Sequence, residues 1–274
     1  MSGEFVEFGG VNPDLDPELA MALSERYGRC TGEQARRCGL NWVLGPVCDV
    51  NNNPANPVIN VRAWGEDPSS ASALAVAFQR GLSQADVLGC AKHFPGHGDT
   101  ASDSHLDLPV LPHSRERLEQ VELPPFRAAI AAGIDSVMTA HLLLPELDPE
   151  QPATLSKAVL TDLLRRQMGF NGLVVTDALV MEAISARHGA AEAAVLAFEA
   201  GADLILMPAD ADAAIDGLCA GFNSGRLPLE RLEESRQRRA HALQSIPISA
   251  PSGPIVTAVD QALEAELVHH SLTF

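Results

Sequence analysis

Short apolar runs alternate with longer amphipathic segments along the middle of the chain. Each run is rich in Val, Ile or Leu and is hydrophobic without clear alternation, which is typical of strands buried on both faces of a parallel sheet. Five such runs are found, at residues 42–50, 86–94, 134–141, 172–179 and 203–208.

The segments between and after these runs have a helical pattern of apolar residues, and most of them stop at a glycine. The pair Pro124-Pro125 predicts a break inside one of them. This regular alternation of strand and helix predicts a parallel α/β sheet, open or closed. The predicted helices cover residues 18–38, 69–82, 115–132, 156–168, 190–200, 229–245 and 256–270.

Polar side chains stand at the carboxyl ends of four of the predicted strands. They are Asp49, His93, His141 and Asp177. In barrels and in open α/β sheets, this edge is where ligands bind, so the pattern already predicts the position of a functional site.

Composition narrows the class of protein. The 274 residues contain 36 Asp and Glu against 19 Lys and Arg, a formal net charge of -17. We expect no nucleic-acid partner, because nucleic-acid binders need a basic surface. Apolar residues make up 46% of the chain, which excludes wholesale disorder. Aromatic residues make up only 4%, so the core must consist of Ala, Leu and Val, which favours helices packed on a sheet.

The sequence also favours a cytoplasmic protein. The beginning MSGEFVEFGG has neither the basic region nor the apolar region of a signal peptide. No stretch approaches the roughly 20 apolar residues of a membrane span, so we expect no membrane partner. The five cysteines form no CxxC pair, and we interpret them as free thiols in a reducing compartment.

The densest group of chemically active residues lies at residues 91–108, AKHFPGHGDTASDSHLDL. It leaves a strand at Lys92 and His93 and enters a loop too rich in Gly, Asp and Ser to be a helix. Two chemistries could need this set. His and Asp together can bind a divalent metal. Alternatively, an Asp can orient a His that works as a general acid and base.

Two further segments carry candidate residues. Asp177 ends a Val-rich strand in VVTDALVM, where it could cap the next helix or serve as a carboxylate nucleophile. Arg62 lies close to Trp64 in the Asn- and Pro-rich stretch at residues 51–68. Arg62 could clamp a polar substrate or could hold the loop together with hydrogen bonds.

At these segments the sequence resembles the family 3 glycoside hydrolases, and more closely their bacterial β-N-acetylhexosaminidase branch. KHFPGHGDT at residues 92–100, with DSH at residues 103–105, is highly specific for that branch. TDALVM at residues 176–181 looks like the nucleophile strand. NPVINVRAWGEDP at residues 56–68 and SVMTAHLLLPELDPEQP at residues 136–152 are similar as well.

The resemblance implies a retaining enzyme that removes terminal β-linked N-acetylglucosamine from oligosaccharides or muropeptides. It assigns the nucleophile to Asp177, the acid/base to His105 and the partner of that histidine to Asp103. Arg62, Lys92 and His93 would hydrogen-bond sugar hydroxyls. No metal and no cofactor are expected.

The resemblance also implies a (β/α)8 barrel, of which the sequence shows about five βα units, so we predict an N-terminally truncated barrel. We expect the partial catalytic domain at residues 1–246, and at residues 247–274 a linker and a helix leading toward a second domain. Five units would leave open sheet edges through which another chain could associate.

Other functions stay open at this point. The chain could be an inactive truncated remnant of the family. It could also be a metal-dependent barrel hydrolase with His93, His97, Asp103 and His105 as ligands. Phosphorolysis in place of hydrolysis is a third alternative, because a histidine acid/base would not repel phosphate as a carboxylate would.

Overall fold

Three consecutive parallel strands form the centre of the fold in the computed structural model, which describes residues 15–101, 107–247, 249 and 251–270. The strands are β1 (Cys90–Phe94), β2 (Ser136–Thr139) and β3 (Leu173–Val175), in the order β1-β2-β3. Cys90 pairs with Ser136, and Ser136 pairs with Leu173, while the register of β1 on β2 shifts by one residue between Ala91 and Phe94.

The first and last predicted strands extend this sheet, but only through isolated bridges. Trp42 and Val47 bridge to Leu88 and Lys92 on one side, and Leu204 bridges to Val175 on the other, all in parallel. The five apolar runs therefore lie side by side in parallel, as predicted, and the structure shows them in chain order. The prediction of five regular strands is wrong for the two outer runs. In the first of them, Pro46 has no N–H to give to the ladder.

The helices surround the sheet as expected for a partial barrel, a mixed helical and parallel-sheet fold. The predicted helices are present. The one predicted at residues 115–132 breaks before its two prolines, as expected. Its middle and the segment predicted at residues 156–168 are π-helical. Two further helices, Glu182–Ser185 and Ala211–Asn223, are not among the predicted ones. Over the described residues the helices are α1 (Pro17–Arg37), α2 (Pro68–Gln84), α3 (Arg115–Arg117), α4 (Pro124–Ala131), α5 (Glu182–Ser185), α6 (Ala190–Ala200), α7 (Ala211–Asn223), α8 (Leu229–Gln244) and α9 (Ala258–His270), with π-helical segments Leu118–Glu122 and Ala158–Gln167.

Glycines allow two of these helices to lie almost backbone to backbone. A Cβ on Gly81 in α2 would come within 2.0 Å of the Glu25 carbonyl oxygen in α1, and one on Gly28 within 2.1 Å of the Phe78 carbonyl oxygen. The core beneath is mainly Leu, Ala and Val, with Phe94 and Phe126 edge to face at 5.3 Å. This matches the expectation from the low aromatic content.

The carboxyl-terminal helix α9 packs on the outside of α1 through polar contacts. Arg37 lies 2.9 Å from Asp260, and Arg26 forms a two-bond pair with Glu266. The proposed division between residues 1–246 and 247–274 stays a prediction. No described helix is both long and apolar enough to cross a membrane. All five cysteines are unpaired thiols, as predicted.

A buried carboxylate, Asp203, fastens the last segment of the sheet to the helices around it. Its side chain is fully enclosed and accepts from the Val174 backbone N–H at 2.9 Å. Three arginines surround it: Arg165 at 2.5 Å, Arg231 at 3.0 Å and Arg238 at 3.1 Å. Burial by itself raises the pKa of Asp203, but Arg165, the Ser235 hydroxyl and the other donors more than offset this and leave it lowered.

Replacing Asp203 with Asn should therefore destabilise the fold by about 3–5 kcal/mol, because the largely buried guanidinium groups of Arg165 and Arg231 would lose their counter-charge. The matched control is Asp162→Asn, which breaks an exposed pair with Arg166 and should cost about 0.5 kcal/mol or less. Urea unfolding at pH 7 measures both changes.

The pH dependence has a definite sign. Because the folded pKa of Asp203 is lowered, its stabilisation is fully present above the ordinary value of about 3.9 and is lost as the pH falls through the folded pKa. The difference between Asp203→Asn and the wild type should thus shrink on acidification. A difference that stays constant down to acid pH would contradict the assignment.

Candidate active site

Four polar residues meet at the carboxyl edge of the sheet, as the sequence predicts. Asp49 follows the first segment and His93 lies in β1. His141 and Asp177 follow β2 and β3. Asp49 contacts His93 directly, and His141 contacts the residue after Asp177. Both His93 and His141 lie near enough to Asp177 to lower its pKa, which links the two pairs into one site.

The Asp49 carboxylate is the structural anchor of this site. Its fully buried carboxylate accepts the backbone N–H of His97 at 2.7 Å and that of His93 at 3.1 Å. The His93 Nδ1 atom lies 2.8 Å from the same carboxylate. Burial raises the pKa of Asp49, but the two histidines and these hydrogen bonds outweigh it and hold the pKa below its ordinary value. A carboxylate only accepts, so Nδ1 of His93 carries a proton.

His97 has a structural role, because its hydrogen bonds hold the loop after β1. Thr100 donates its hydroxyl proton to the His97 carbonyl oxygen at 3.0 Å, so the 2.7 Å contact from His97 Nδ1 to this hydroxyl needs the proton on the ring. Burial lowers the pKa of His97 to about 4, although Asp49 opposes the shift, so its ring is neutral at pH 7.

Sequence reasoning did not identify Asn56 as important, yet this buried side chain joins two loops of the site. Its amide group donates to the carbonyl oxygens of His97 and Gly98 at 2.7 and 2.9 Å. Its oxygen accepts from the backbone N–H groups of Val58 and Ile59. The Asn- and Pro-rich composition of residues 51–68 is the signal that could have identified it.

Lys92 and Arg62 bring positive charge to the site. The pKa of Lys92 is lowered by burial and by the nearby Arg62 guanidinium, while Asp177 and Asp49 act in the opposite direction. Arg62 donates to the Val58 carbonyl oxygen at 3.2 Å, so it does hold its own loop. Its contact with a sugar stays a prediction.

Asp177 is not a helix cap. The next helix, α5, begins at Glu182 with Met181 at its cap position, whereas Asp177 Oδ1 accepts the backbone N–H of Ala178 at 2.8 Å. Among the described residues, no hydrogen bond reaches the other carboxylate oxygen. Burial raises the pKa of Asp177, but His93, His141, the Ala178 N–H and Lys92 together lower it, so the group is ionised at neutral pH.

The proposed acid/base pair, Asp103 and His105, lies outside the described residues. The chain on either side of them is linked by Asp99, whose carboxylate lies 2.9 Å from His113 Nε2 and 3.3 Å from Arg117. Asp99, His113 and Glu122 place ligand-type atoms within 4.8 Å of one another. However, the Arg117 guanidinium also contacts Glu122 at 3.2 Å, so a cation already balances both carboxylates.

The geometry does not favour the metal-hydrolase alternative. Two of its four proposed ligands, His93 and His97, do not belong to the group of described residues whose ligand atoms lie within 4.8 Å of one another. The other two, Asp103 and His105, are not described.

Comparisons with known proteins agree on one class. The glycosyl hydrolase family 3 N terminal domain matches residues 12–242. "Beta-hexosaminidase A" of Pseudoalteromonas piscicida is 36% identical over 283 residues, which cover 94% of this chain and 47% of that protein.

Two solved structures are similar over nearly the whole chain. A glycoside hydrolase family 3 β-N-acetylglucosaminidase from Paenibacillus sp. str. FPU-7 has a TM-score of 0.87 and 40% identity, over 96% of this chain and 55% of that one. NagZ from Neisseria gonorrhoeae, in complex with N-trifluoroacetyl-D-glucosamine, has a TM-score of 0.75 and 31% identity, over 92% and 70%.

The fold and site thus define a partial α/β barrel with polar side chains gathered at its carboxyl edge. More specifically, the chain belongs to glycoside hydrolase family 3. It spans about half the length of the curated relatives it matches.

Asp49→Asn tests whether the Asp49 carboxylate is the structural anchor of the site. An amide can accept at only one of its two ends, and its NH2 group would face the N–H donors of His93 and His97. We expect a loss of about 2–4 kcal/mol in the free energy of unfolding, measured with urea. Asp67→Asn is the matched control, because Asp67 caps α2 and Asn caps equally well. Equal effects of the two changes would refute the role of Asp49.

Proposed function

We propose that this chain carries the catalytic centre of a retaining glycoside hydrolase that removes terminal β-linked N-acetylglucosamine. One observation carries the proposal. An ionised carboxylate, Asp177, ends β3 with one oxygen held by a backbone N–H and with Lys92, His93 and His141 near enough to lower its pKa. Membership of the family and the N-acylglucosamine bound by the Neisseria relative support the choice of substrate.

The reaction we propose has two steps. Asp177 attacks the anomeric carbon and forms a glycosyl-enzyme ester, while the leaving oxygen takes a proton from His105. The neutral His105 then takes a proton from water, which attacks the same carbon and releases Asp177. Asp103 would orient His105 and stabilise its protonated form.

The described residues suggest how the sugar is held. When its proton is at Nδ1, directed at Asp49, the His93 ring can accept a hydrogen bond from a sugar hydroxyl at Nε2. Lys92 can only donate. Neighbouring residues of β1 therefore offer one acceptor and one donor, and Arg62 adds further donors. This combination suits a hydroxyl group, which both donates and accepts.

Finer assignments are also proposals. We propose muropeptides or other N-acetylglucosamine oligosaccharides as substrates, with a role in cell-wall recycling in the cytoplasm. The five free thiols are consistent with that reducing compartment. The outer sheet segments at residues 42–47 and 203–206 are edges at which another chain could complete the barrel.

Turnover of p-nitrophenyl β-N-acetylglucosaminide tests the proposal. Asp177→Asn keeps the shape of the nucleophile but removes its charge, so we expect kcat to fall by at least about 1,000-fold. Asp162→Asn, the same change at an exposed position, should leave kcat unchanged. Turnover that survives Asp177→Asn would rule out the nucleophile. No turnover by the wild type would favour the inactive remnant. Running the assay with and without phosphate separates hydrolysis from phosphorolysis.

The acid/base assignment has its own test. His105→Gln should slow glycosides with poor leaving groups by about 100- to 10,000-fold, because these need a proton in the transition state. The p-nitrophenyl substrate should lose less in its first step, since nitrophenolate leaves without protonation. The ratio of the two rates, compared with that of a His269→Gln control on α9, is the measurement. Equal losses with both substrates would contradict the assignment.

A further inference from the structure

We infer that His141 is a positioning residue that orients the nucleophile through the backbone of Ala178. The inference rests on the proposed role of Asp177, which it extends to a second residue. Two arguments carry it: the hydrogen bonds of the His141 ring, and the way in which Ala178 is fixed on both sides.

The His141 ring is fully buried at the end of β2, and both its nitrogens have partners. Nε2 lies 3.0 Å from the Ala178 carbonyl oxygen, and Nδ1 lies 2.8 Å from the Thr154 hydroxyl. A carbonyl oxygen can only accept, so Nε2 carries the proton. The ring is therefore a donor directed at the residue that follows the nucleophile.

Thr154 holds the ring from behind. Its hydroxyl lies 2.9 Å from the Ala140 carbonyl oxygen and 2.8 Å from the Thr139 hydroxyl. Thr139 and Ala140 immediately precede His141, so the histidine is anchored to its own strand. The Thr139 hydroxyl also accepts the Asp177 backbone N–H, at a long 3.4 Å.

Ala178 is thus held at both of its backbone groups. Its N–H donates to Asp177 Oδ1 at 2.8 Å, and its carbonyl oxygen accepts from His141. Leu179 is fixed from the opposite side by its N–H bond to the Leu206 carbonyl oxygen at 3.0 Å. If His141 released the Ala178 carbonyl, only the Leu179 N–H bond would hold this peptide group, and the neighbouring N–H that binds Oδ1 would be less firmly placed.

The consequence concerns which oxygen attacks. Oδ1 is occupied by the Ala178 N–H, so the other oxygen, Oδ2, is the one available to the anomeric carbon. Attack needs the reacting atoms at about 3–3.5 Å and in line, and a displacement of about 1 Å can cost about 100-fold in rate. Besides its effect on the pKa of Asp177, His141 positions the nucleophile through its hydrogen bond to Ala178.

Two substitutions separate positioning from simple packing. The amide nitrogen of Gln can occupy the place of Nε2, so His141→Gln keeps a donor for Ala178. Asn is shorter and reaches only the place of Nδ1, so His141→Asn loses that donor. We expect His141→Asn to lower kcat about 100-fold with KM within about threefold, and His141→Gln to keep kcat within about fivefold. His269→Asn, an exposed histidine on α9, is the control and should change neither value.

A second readout does not need activity. Hydrogen exchange of the Asp177 and Ala178 amides, followed by NMR in the full chain, should speed up about tenfold or more in His141→Asn and remain near the wild-type rate in His141→Gln. A wild type without turnover would defeat the proposed function, and the exchange rates would still decide this inference. Equal loss of kcat in both variants, or unchanged exchange in His141→Asn, would overturn it.

Discussion

The strand ends of a parallel sheet gather charged groups into spaces with little water, and each of these groups needs a partner there. Three buried carboxylates show how this protein meets that constraint. Asp203 is surrounded by three arginines, a hydroxyl and a backbone N–H, and Asp49 by two backbone N–H groups and an imidazole. Asp177 has one backbone N–H. The first two are locked, and only the third keeps an oxygen for chemistry.

The same constraint fixes the histidines. His93 has its proton directed at Asp49 and His97 has its proton directed at Thr100, while His141 directs Nε2–H at a carbonyl oxygen. A histidine that serves as general acid and base must give up and regain a proton during one turnover. Rings tied in this way are better suited to binding and orientation. This is why we assign proton transfer to His105, the histidine that the family resemblance indicates.

Much of this arrangement could be predicted from the sequence, because it depends on local pattern. The apolar runs predicted a parallel sheet, the glycines predicted the ends of the helices, and the polar strand ends predicted the edge where Asp49, His93, His141 and Asp177 meet. The outer strands were over-predicted, because strand pairing depends on neighbours that periodicity does not show. The link from His141 to Thr154 and Ala178 was not predicted either, since it joins residues 13 and 37 positions apart.

The pKa of Asp177 has consequences for both halves of the proposed reaction. Lys92, His93 and His141 hold it below the ordinary value, against the effect of burial. A carboxylate with a low pKa is a weaker nucleophile, which slows formation of the glycosyl-enzyme. It is also a better leaving group, which speeds the attack of water on the ester. The ester is neutral, so the nearby positive charge faces a negatively charged Asp177 carboxylate again only when the ester breaks. The groups that lower the pKa of Asp177 therefore favour the second step, and orientation of Asp177 by Ala178 and His141 becomes the means of sustaining the first.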